Sequence, residues 1–327
     1  MRPGETDAIE IHQLRRVFER RVGWRAPRVT REALTGIDLR VRAGTTFGIV
    51  GRNGAGKTTT VKILSTLLLP TSGSVRVAGH DVVREAKRVR ALLGVVLGGD
   101  RGFYQRLTGR ENLRFFGSLV GVSGRRLHDR VAALTEQLDL TFLDERVEAC
   151  SRGMKQRLHL ARALLHEPPI LILDEPSLGL DPVAAAQMRA LVHSLVPRHT
   201  VLLTTHDLFE AERLCDEIAV MRRGAVAAAG TPEELAVQAD LRHRVSAVVD
   251  GGSPAEVTDR VRSVLDVTSI EASDAGDGRV RLTLTHRGAG TGVQDTTAAL
   301  VALGLRVEEI RVIPPDLEAT FFALVGA

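Results

Sequence analysis

The chain has 327 residues, which is enough for two domains. It is 44% hydrophobic but only 3% aromatic, so any core must consist mostly of Leu, Val, Ile and Ala. A net charge of +4 without a long basic block, together with few aromatic side chains, argues against nucleic-acid binding.

Cysteine usage and hydropathy limit the cellular setting. Cys150 and Cys215 are far apart and belong to no C-x-x-C pattern, which predicts neither a disulfide framework nor a zinc site and favours a reducing compartment. Residues 1–10 lack the apolar core of a signal peptide, and no apolar run approaches the roughly 20 residues that span a bilayer. We therefore expect a soluble or peripheral protein that relies on another chain for any membrane crossing.

The N-terminal segment is predicted to form strands. Residues 8–11 read as a short strand, and an arginine-rich loop follows Phe18 as far as Arg31. Apolar alternation over residues 37–41 predicts a second, half-buried strand. Residues 46–50 form a continuous apolar run, which is typical of a buried parallel strand.

A glycine-rich segment follows this third strand. Residues 51–59 read Gly-Arg-Asn-Gly-Ala-Gly-Lys-Thr-Thr and precede a run with helical apolar spacing over residues 61–68. Glycines let the backbone wrap closely around phosphates, while the loop N–H groups and the helix N-terminus attract an anion. A glycine-rich turn that merely precedes a helix is the alternative, but the strand and helix favour a phosphate-binding loop. The predicted nucleotide contacts are Gly51, Asn53, Gly54, Ala55, Gly56, Lys57, Thr58 and Thr59.

The middle of the chain departs from the α/β alternation. Residues 92–97 read as a strand, and Thr108 with Glu111 forms a capping box that opens a helix to about residue 119. A second helix is predicted over residues 127–138. We expect an inserted helical subdomain over about residues 108–165.

Acidic and imidazole groups follow two predicted strands. Asp174 and Glu175 come directly after the apolar strand 170–173, where an acidic pair can hold Mg²⁺ and act on a water molecule. His206 follows strand 200–204 and can hydrogen-bond a phosphate oxygen. A strand-ending surface turn would explain the acidic pair alone, and a capping or surface histidine would explain His206. Beside a phosphate-binding loop we predict Glu175, His206 and Lys57 as catalytic, and Thr58 and Asp174 as magnesium ligands.

A second candidate anion site lies upstream of the acidic pair. Ser151 and Gly153 stand at the start of a predicted helix that runs to about residue 165. An ordinary N-cap would explain them, but a hydroxyl and a glycine at a helix N-terminus also suit a phosphate held by a second subunit.

The C-terminal part has a different element order. Strands and helices over residues 245–312 follow the order βαββαβ, which is the split-βαβ pattern of a ferredoxin-like module. We predict an ATPase-type α/β domain over residues 1–240 and a small α+β accessory domain over residues 241–327.

The motifs together resemble one family. The loop at 51–59, the Ser-x-Gly start at 151, Leu-Asp-Glu-Pro at 173–176, Ser-Leu-Gly-Leu-Asp at 177–181 and Thr-Thr-His at 204–206 occur in the order of ATP-binding cassette (ABC) ATPases. The resemblance covers about residues 9–235 and implies a P-loop NTPase fold. Residues 314–322 also resemble the closing helix of ATPase subunits of ABC-2-type exporters, in particular the daunorubicin/doxorubicin-resistance group.

The resemblance implies roles for individual residues. Ser151 and Gly153 belong to the signature motif that binds ATP held by the other subunit, and Asp181 is the aspartate of the D-loop at the dimer interface. Phe18 is the aromatic residue expected to stack on adenine, with Trp24 as the alternative. Such subunits form a homodimer over two Mg-ATP and drive a separate transmembrane permease from the cytoplasmic face of the membrane.

The chain departs from the family pattern at two positions. The signature reads Cys-Ser-Arg-Gly-Met where the family commonly has Leu-Ser-Gly-Gly-Gln. Gly98 or Gly99 stands where the family usually has a glutamine that contacts Mg²⁺ and relays closure to the membrane partner, and Gln105 is displaced from that position. A glycine cannot make an amide contact, so we expect different coupling but the same ATP binding.

Three functions are compatible with the motifs. The first is the ATPase subunit of an exporter of a drug, antibiotic or lipid-like molecule. The second is a soluble ABC protein acting on ribosomes or nucleic acid, which the single glycine-rich loop and the weak basic charge disfavour. The third is a regulatory module without turnover, which Lys57, Asp174, Glu175 and His206 together disfavour.

Overall fold

A computed structural model describes residues 7–21, 28–97, 102–239, 241, 244–286, 292–313 and 315–326. The chain divides into two compact units, Met1–Gly230 and Thr231–Ala327. The division falls ten residues before the predicted boundary after residue 240, because the helix that starts at Pro232 packs against the last helix of the second unit.

Within the described residues of the first unit, ten strands form two sheets. A four-stranded antiparallel sheet has the order β2-β1-β4-β5, and a six-stranded sheet has the order β10-β9-β3-β8-β7-β6. The six-stranded sheet is parallel except where β10 pairs with β9. The strands are β1 Asp7–Arg21, β2 Arg28–Arg42, β3 Thr46–Val50, β4 Ser72–Val77, β5 His80–Asp81, β6 Leu93–Val96, β7 Ile170–Asp174, β8 Thr200–Thr205, β9 Glu217–Arg222 and β10 Ala225–Gly230.

Seven α-helices accompany these strands in the part of the unit that the structure describes. Thr108 makes the predicted capping box with Glu111, and Asp181 caps the helix that starts at Pro182. The helices are α1 Lys57–Leu64, α2 Ala86–Leu92, α3 Gly109–Leu119, α4 Gly124–Gln137, α5 Arg152–Leu164, α6 Pro182–Leu195 and α7 Leu208–Leu214. Helices α3, α4 and α5 pack against one another, in the region where the helical insertion is predicted.

The parallel sheet places its central strands in the core. Every residue of β3, β7 and β8 is buried, which explains their continuous apolar sequences. Because these three strands are parallel neighbours, the segments that follow Val50, Asp174 and Thr205 emerge at one edge of the sheet.

The second unit has the predicted ferredoxin-like arrangement. Its antiparallel sheet has the order β12-β13-β11-β14, and its apolar core includes Val249, Val257 and Leu282. The elements are α8 Pro232–Gln238, β11 Arg244–Asp250, α9 Pro254–Arg262, β12 Val267–Gly276, β13 Arg279–His286, α10 Val293–Ala302, β14 Arg306–Ile313 and α11 Leu317–Val325.

Several predicted boundaries are wrong. The loop predicted as far as Arg31 is strand from Arg28, because β1 and β2 form one long antiparallel hairpin. Helix α1 ends at Leu64 although the apolar spacing continues, since Thr66 adopts a left-handed φ of 61°. Helix α2 was not predicted from the sequence.

Candidate functional site

The glycine-rich loop joins β3 to α1 at the carboxyl edge of the sheet. Gly54 and Gly56 have φ values of 85° and 115°, which residues with a Cβ atom rarely adopt. A Cβ added at Gly56 would also lie 2.8 Å from Leu34 Cδ2. The backbone path of the loop therefore requires glycine at this position.

Neighbouring strands fix the loop from the other side. A Cβ added at Gly51 would lie 2.5 Å from the Met221 carbonyl oxygen, so β9 leaves no room for a side chain. The Gly224 N–H donates to the Ala55 carbonyl oxygen at 2.9 Å, and the Thr35 N–H donates to the Gly224 carbonyl oxygen at 2.9 Å. The loop is thus preorganised by tertiary contacts as well as by its own glycines.

A cavity of about 300 Å³ lies over this loop. It brings seven of the eight predicted loop residues, all but Gly51, together with the predicted catalytic residues Glu175 and His206. Its lining residues are Arg31, Ala33, Arg52, Asn53, Gly54, Ala55, Gly56, Lys57, Thr58, Thr59, Glu175, Leu178 and His206.

Lys57 is the buried cation of the cavity. Its side chain is 6% exposed, and Nζ donates to the Gly51 carbonyl oxygen at 2.6 Å and lies 3.2 Å from Glu175 Oε1. Buried charges need partners, and these two contacts hold the ammonium group at the mouth of the loop. The N-terminus of α1 adds the positive end of its dipole, so the cavity suits a polyanion.

Glu175 connects Lys57 to His206. Glu175 Oε2 lies 2.6 Å from His206 Nδ1, while its other oxygen faces Lys57. The Glu175 N–H donates to the Thr204 carbonyl oxygen at 3.0 Å, which extends the β7–β8 pairing by one residue. The structure therefore places three predicted catalytic side chains in one contiguous chain of contacts.

Asp174 and Thr58 provide a donor set that fits Mg²⁺ beside bound phosphates. Asp174 is 5% exposed and its Oδ1 accepts a 2.5 Å hydrogen bond from the Thr204 hydroxyl, which orients the carboxylate. Thr58 lines the cavity. No group of three or more His, Cys, Asp or Glu that could hold a metal occurs in the described parts of the chain. One carboxylate and one hydroxyl suit an ion that takes its other ligands from phosphate and water.

Other predicted site residues lie elsewhere. Among the described residues, the predicted site residues that do not line this cavity are Phe18, Gly51, Ser151, Gly153, Asp174 and Asp181. Phe18 is exposed on β1, and the Arg16 guanidinium carbon lies over its ring, 4.6 Å from the ring centroid. The alternative aromatic residue, Trp24, and the glycines Gly98 and Gly99 lie outside the described residues.

Ser151 and Asp181 act locally as helix caps. The Ser151 hydroxyl accepts from the Met154 N–H at 3.2 Å, and Asp181 Oδ1 accepts from the Val183 and Ala184 N–H groups at 3.0 and 2.9 Å. Both residues still face outward at the starts of α5 and α6.

Four lining residues were not predicted from the sequence. Arg31 and Ala33 come from β2, and Leu178 follows the acidic pair. Arg52 lies inside the glycine-rich segment, so its position in the motif could have identified it. Arg31 pairs in register with Phe18 across the hairpin, a relation that depends on the length of β1 and β2.

The fold and the site define a class of protein. A glycine-rich loop between a buried parallel strand and a helix, with its lysine and the carboxylate of Glu175 on one cavity, is the phosphate-binding arrangement of P-loop NTPases. Residues 34–178 match the ABC transporter family.

Relatives of similar length support the same assignment. The chain is 40% identical over 312 residues to the daunorubicin resistance ATP-binding protein DrrA3 of Streptomyces coeruleorubidus, covering 90% of this chain and 92% of the relative. It is 39% identical over 239 residues to the Nod factor export ATP-binding protein I of Burkholderia lata, covering 72% of this chain and 78% of the relative. The chain therefore belongs to the ATP-binding proteins of the ABC transporter family.

A solved structure agrees with this assignment. The ATP-binding subunit of an ABC transporter superimposes with a TM-score of 0.61 at 29% identity, covering 77% of this chain and 98% of that one. Across the residues that the structure describes, we find no helix with the length and apolar character needed to cross a membrane.

Proposed function

We propose that this chain is the ATP-hydrolysing subunit of an exporter, which dimerises over two Mg-ATP and drives a separate membrane permease. The observation that carries the proposal is the convergence of Lys57, Glu175 and His206 on one glycine-lined cavity, with contacts of 3.2 and 2.6 Å. A lysine, a carboxylate and an imidazole in this order supply phosphate binding, proton acceptance and positioning of water.

The loop and α1 would bind the triphosphate. The N–H groups at the start of α1 face an anion, and Lys57 Nζ would contact the β- and γ-phosphate oxygens. We propose that Phe18 stacks on the adenine ring, because it lies opposite Arg31 in the β-hairpin and Arg31 lines the cavity.

Glu175 and His206 would act on the attacking water. The water oxygen forms a bond to the γ-phosphorus while the bond from that phosphorus to the ADP oxygen breaks, and Glu175 accepts the water's proton. As an imidazolium, His206 can donate from Nδ1 to Glu175 and from Nε2 to a γ-phosphate oxygen. Thr58 and Asp174 would hold Mg²⁺, which when bound neutralises phosphate charge.

A second copy of the chain would complete each site. The proposed partner residues Ser151, Gly153 and Asp181 lie at the N-termini of α5 and α6, away from the cavity of their own chain. The exposure of Ser151 and Asp181 and the positive end of the α5 dipole suit a γ-phosphate presented by another molecule.

An apolar cavity on the first unit would receive a cytoplasmic loop of the permease. It has a volume of about 390 Å³ and includes Leu67 and Leu119, which are 61% and 68% exposed. Leu97, the residue before Gly98, also lines it, so the cavity adjoins the segment through which the family contacts its membrane partner. Such an exposed apolar concavity is typical of an interaction site.

The cargo is proposed by class only. The relatives' names refer to daunorubicin resistance and to Nod factor export. We therefore propose export of a drug, antibiotic or lipid-like molecule, with this subunit at the cytoplasmic face of the membrane.

The test compares the wild-type chain with Glu175→Gln. The wild-type chain should hydrolyse Mg-ATP. Glu175→Gln should still bind ATP but lose at least ~100-fold in turnover, because the amide cannot accept the proton. Tagged Glu175→Gln, loaded with Mg-ATP in native membranes, should recover a multi-spanning membrane protein. Recovery of ribosomes or nucleic-acid proteins instead would contradict the exporter assignment.

Leu119→Asp tests the permease contact separately. A carboxylate at this exposed position should prevent recovery of the membrane protein while ATP hydrolysis by the isolated chain is unchanged. Val237→Asp, at a similarly exposed valine of α8, is the control.

A further inference from the structure

Glu210 is a buried carboxylate with no role in the mechanism above. It lies on α7 and is 1% exposed, which is rare for a glutamate unless its carboxylate is well paired. The Ser177 hydroxyl donates to Glu210 Oε1, and the Thr205 hydroxyl also hydrogen-bonds this carboxylate. Burial raises the pKa of Glu210, and the two hydroxyl groups oppose that rise.

The two hydroxyl groups belong to the segments that carry the proposed catalytic residues. Ser177 is two residues after Glu175, and Thr205 directly precedes His206. The Thr205 Oγ1 atom also accepts from the Asp207 N–H at 3.0 Å, which fixes Thr205 at the start of α7. Glu210 therefore touches both segments from behind the cavity.

Backbone pairing does not extend to this point. The β7–β8 register ends at Asp174 and Thr204, and the Glu175 N–H makes a further bond to the Thr204 carbonyl oxygen. The strand pairing ends there, and Glu175 Oε2 and His206 Nδ1 lie 2.6 Å apart just beyond it. The side-chain bridge from Ser177 through Glu210 to Thr205 joins the segments where the strands no longer do.

We propose that Glu210 is a positioning residue for hydrolysis, which holds the Ser177 and Thr205 segments together so that Glu175 and His206 keep their mutual contact. This inference rests on the proposed ATP hydrolysis. A carboxylate suits the role because it accepts from two hydroxyl groups at once and its helix is anchored by the Asp207 cap. Glu210 is not among the residues that line the nucleotide cavity.

The bridge predicts a specific kinetic signature. Loss of a positioning contact misaligns groups that act in the transition state, so kcat should fall while the KM for Mg-ATP changes little. Ser177→Ala removes one arm at a partly buried loop position, where folding should be retained, and Glu210→Ala removes both arms. We expect kcat to fall at least ~10-fold in each variant with KM within about twofold of wild type.

The double variant and the rescue separate positioning from a general loss of structure. Ser177→Ala combined with Glu210→Ala should be no slower than Glu210→Ala alone, because both changes break the same bridge. Ser177→Thr keeps the hydroxyl and should retain wild-type kcat. The matched controls are Ser194→Ala, on exposed α6 surface, and Glu212→Gln, exposed on α7, and both should retain wild-type kcat and KM.

Each outcome bears on one proposal. Wild-type kcat in Ser177→Ala, or independent and multiplicative losses in the double variant, would overturn the positioning role while leaving ATP hydrolysis established by the wild-type rate. A rise in KM equal to the fall in kcat/KM would also overturn it. A wild-type chain that binds but does not hydrolyse Mg-ATP would overturn the proposed function and this inference with it.

Discussion

The glycine-rich loop at 51–59 and the signature segment at 150–156 have similar chemistry but different surroundings. Each brings glycine and a hydroxyl residue to a helix N-terminus. The first lines a cavity within its own chain, and its lysine is 6% exposed. Of the residues described in the second, none lines that cavity, and Ser151 is exposed.

The difference lies in what surrounds each loop. Met221, Leu34 and Gly224 pack against the first loop and define a concave site. The second loop has its own helix cap on one side and open surface on the other. Local sequence chemistry can therefore identify an anion-binding loop, but tertiary packing decides whether the ligand comes from the same chain or from a second molecule.

Among the substitutions that test this comparison, Lys57→Ala should have the largest effect on ATP binding and hydrolysis. Removing the buried ammonium group should weaken Mg-ATP binding ~100-fold or more and abolish hydrolysis, because charge-assisted contacts to phosphate are lost. Equilibrium binding of a fluorescent ATP analogue measures the change. Lys62→Ala, exposed in the last turn of α1, is the matched control and should bind as wild type.

Gly153→Asp should separate binding from turnover. A carboxylate at the start of α5 would repel a γ-phosphate from a second copy, so hydrolysis should fall ~100-fold while ATP affinity of the dilute monomer stays within about twofold. Gly278→Asp, exposed in the turn between β12 and β13, is the control. Equal losses of affinity and turnover in Gly153→Asp would mean that the signature segment serves its own chain.

Mixing the two variants tests the head-to-tail arrangement. A Lys57→Ala chain keeps an intact signature, and a Gly153→Asp chain keeps an intact glycine-rich loop, so a mixed dimer contains one complete site. The mixture should hydrolyse ATP faster than the sum of the separate variants. An activity equal to that sum would contradict a shared site.

Alanine at the two loop glycines should affect stability unequally. A Cβ at Gly51 would lie 2.5 Å from a backbone oxygen, so Gly51→Ala should lower the free energy of unfolding by about 1–3 kcal/mol. A Cβ added at Gly153 would lie 3.3 Å from Ala184 Cβ, its nearest neighbour. The gain in helix propensity on replacing glycine by alanine, up to about 1 kcal/mol, would offset the cost of this close contact. Urea unfolding midpoints of the two variants should therefore differ clearly.

The smallest expected effect is on the rate at which the Cys150 thiol is alkylated. Cys150 anchors the signature segment, is 5% exposed, and burial raises the pKa of its thiol. Less thiolate is then present at a given pH, so alkylation in a Cys215→Ser background at pH 8 should be at least ~10-fold slower in the folded than in the urea-unfolded chain. Equal rates would show that the segment is not anchored at Cys150.

Much of the fold follows from local sequence signals. The Thr108 capping box, the apolar strands β3, β7 and β8, and the βαββαβ order are all present as predicted. Each depends on residues within a few positions of one another. The β1–β2 hairpin was predicted too short because Phe18 and Arg31 pair across a long connection. The apolar spacing through Leu67 did not reveal that α1 stops at Leu64.

The site residues that lie next to a recognisable sequence pattern could be predicted. Glu175 and His206 follow apolar strands, and neighbouring parallel strands bring such ends together. Arg31 and Glu210 carry no comparable signal, because one depends on hairpin register and the other on a side-chain bridge between distant segments. Their positions require the tertiary structure.

The backbone of Glu175 has a consequence for any attempt to stabilise this protein. Its φ of 53° places a residue with a Cβ atom in the left-handed region, at a cost of about 1–2 kcal/mol. Glycine at this position would release that strain and offset the lost contact with Lys57. Selection for heat resistance alone would thus exert little pressure to keep the carboxylate, so directed evolution of this chain needs a screen for turnover at every round.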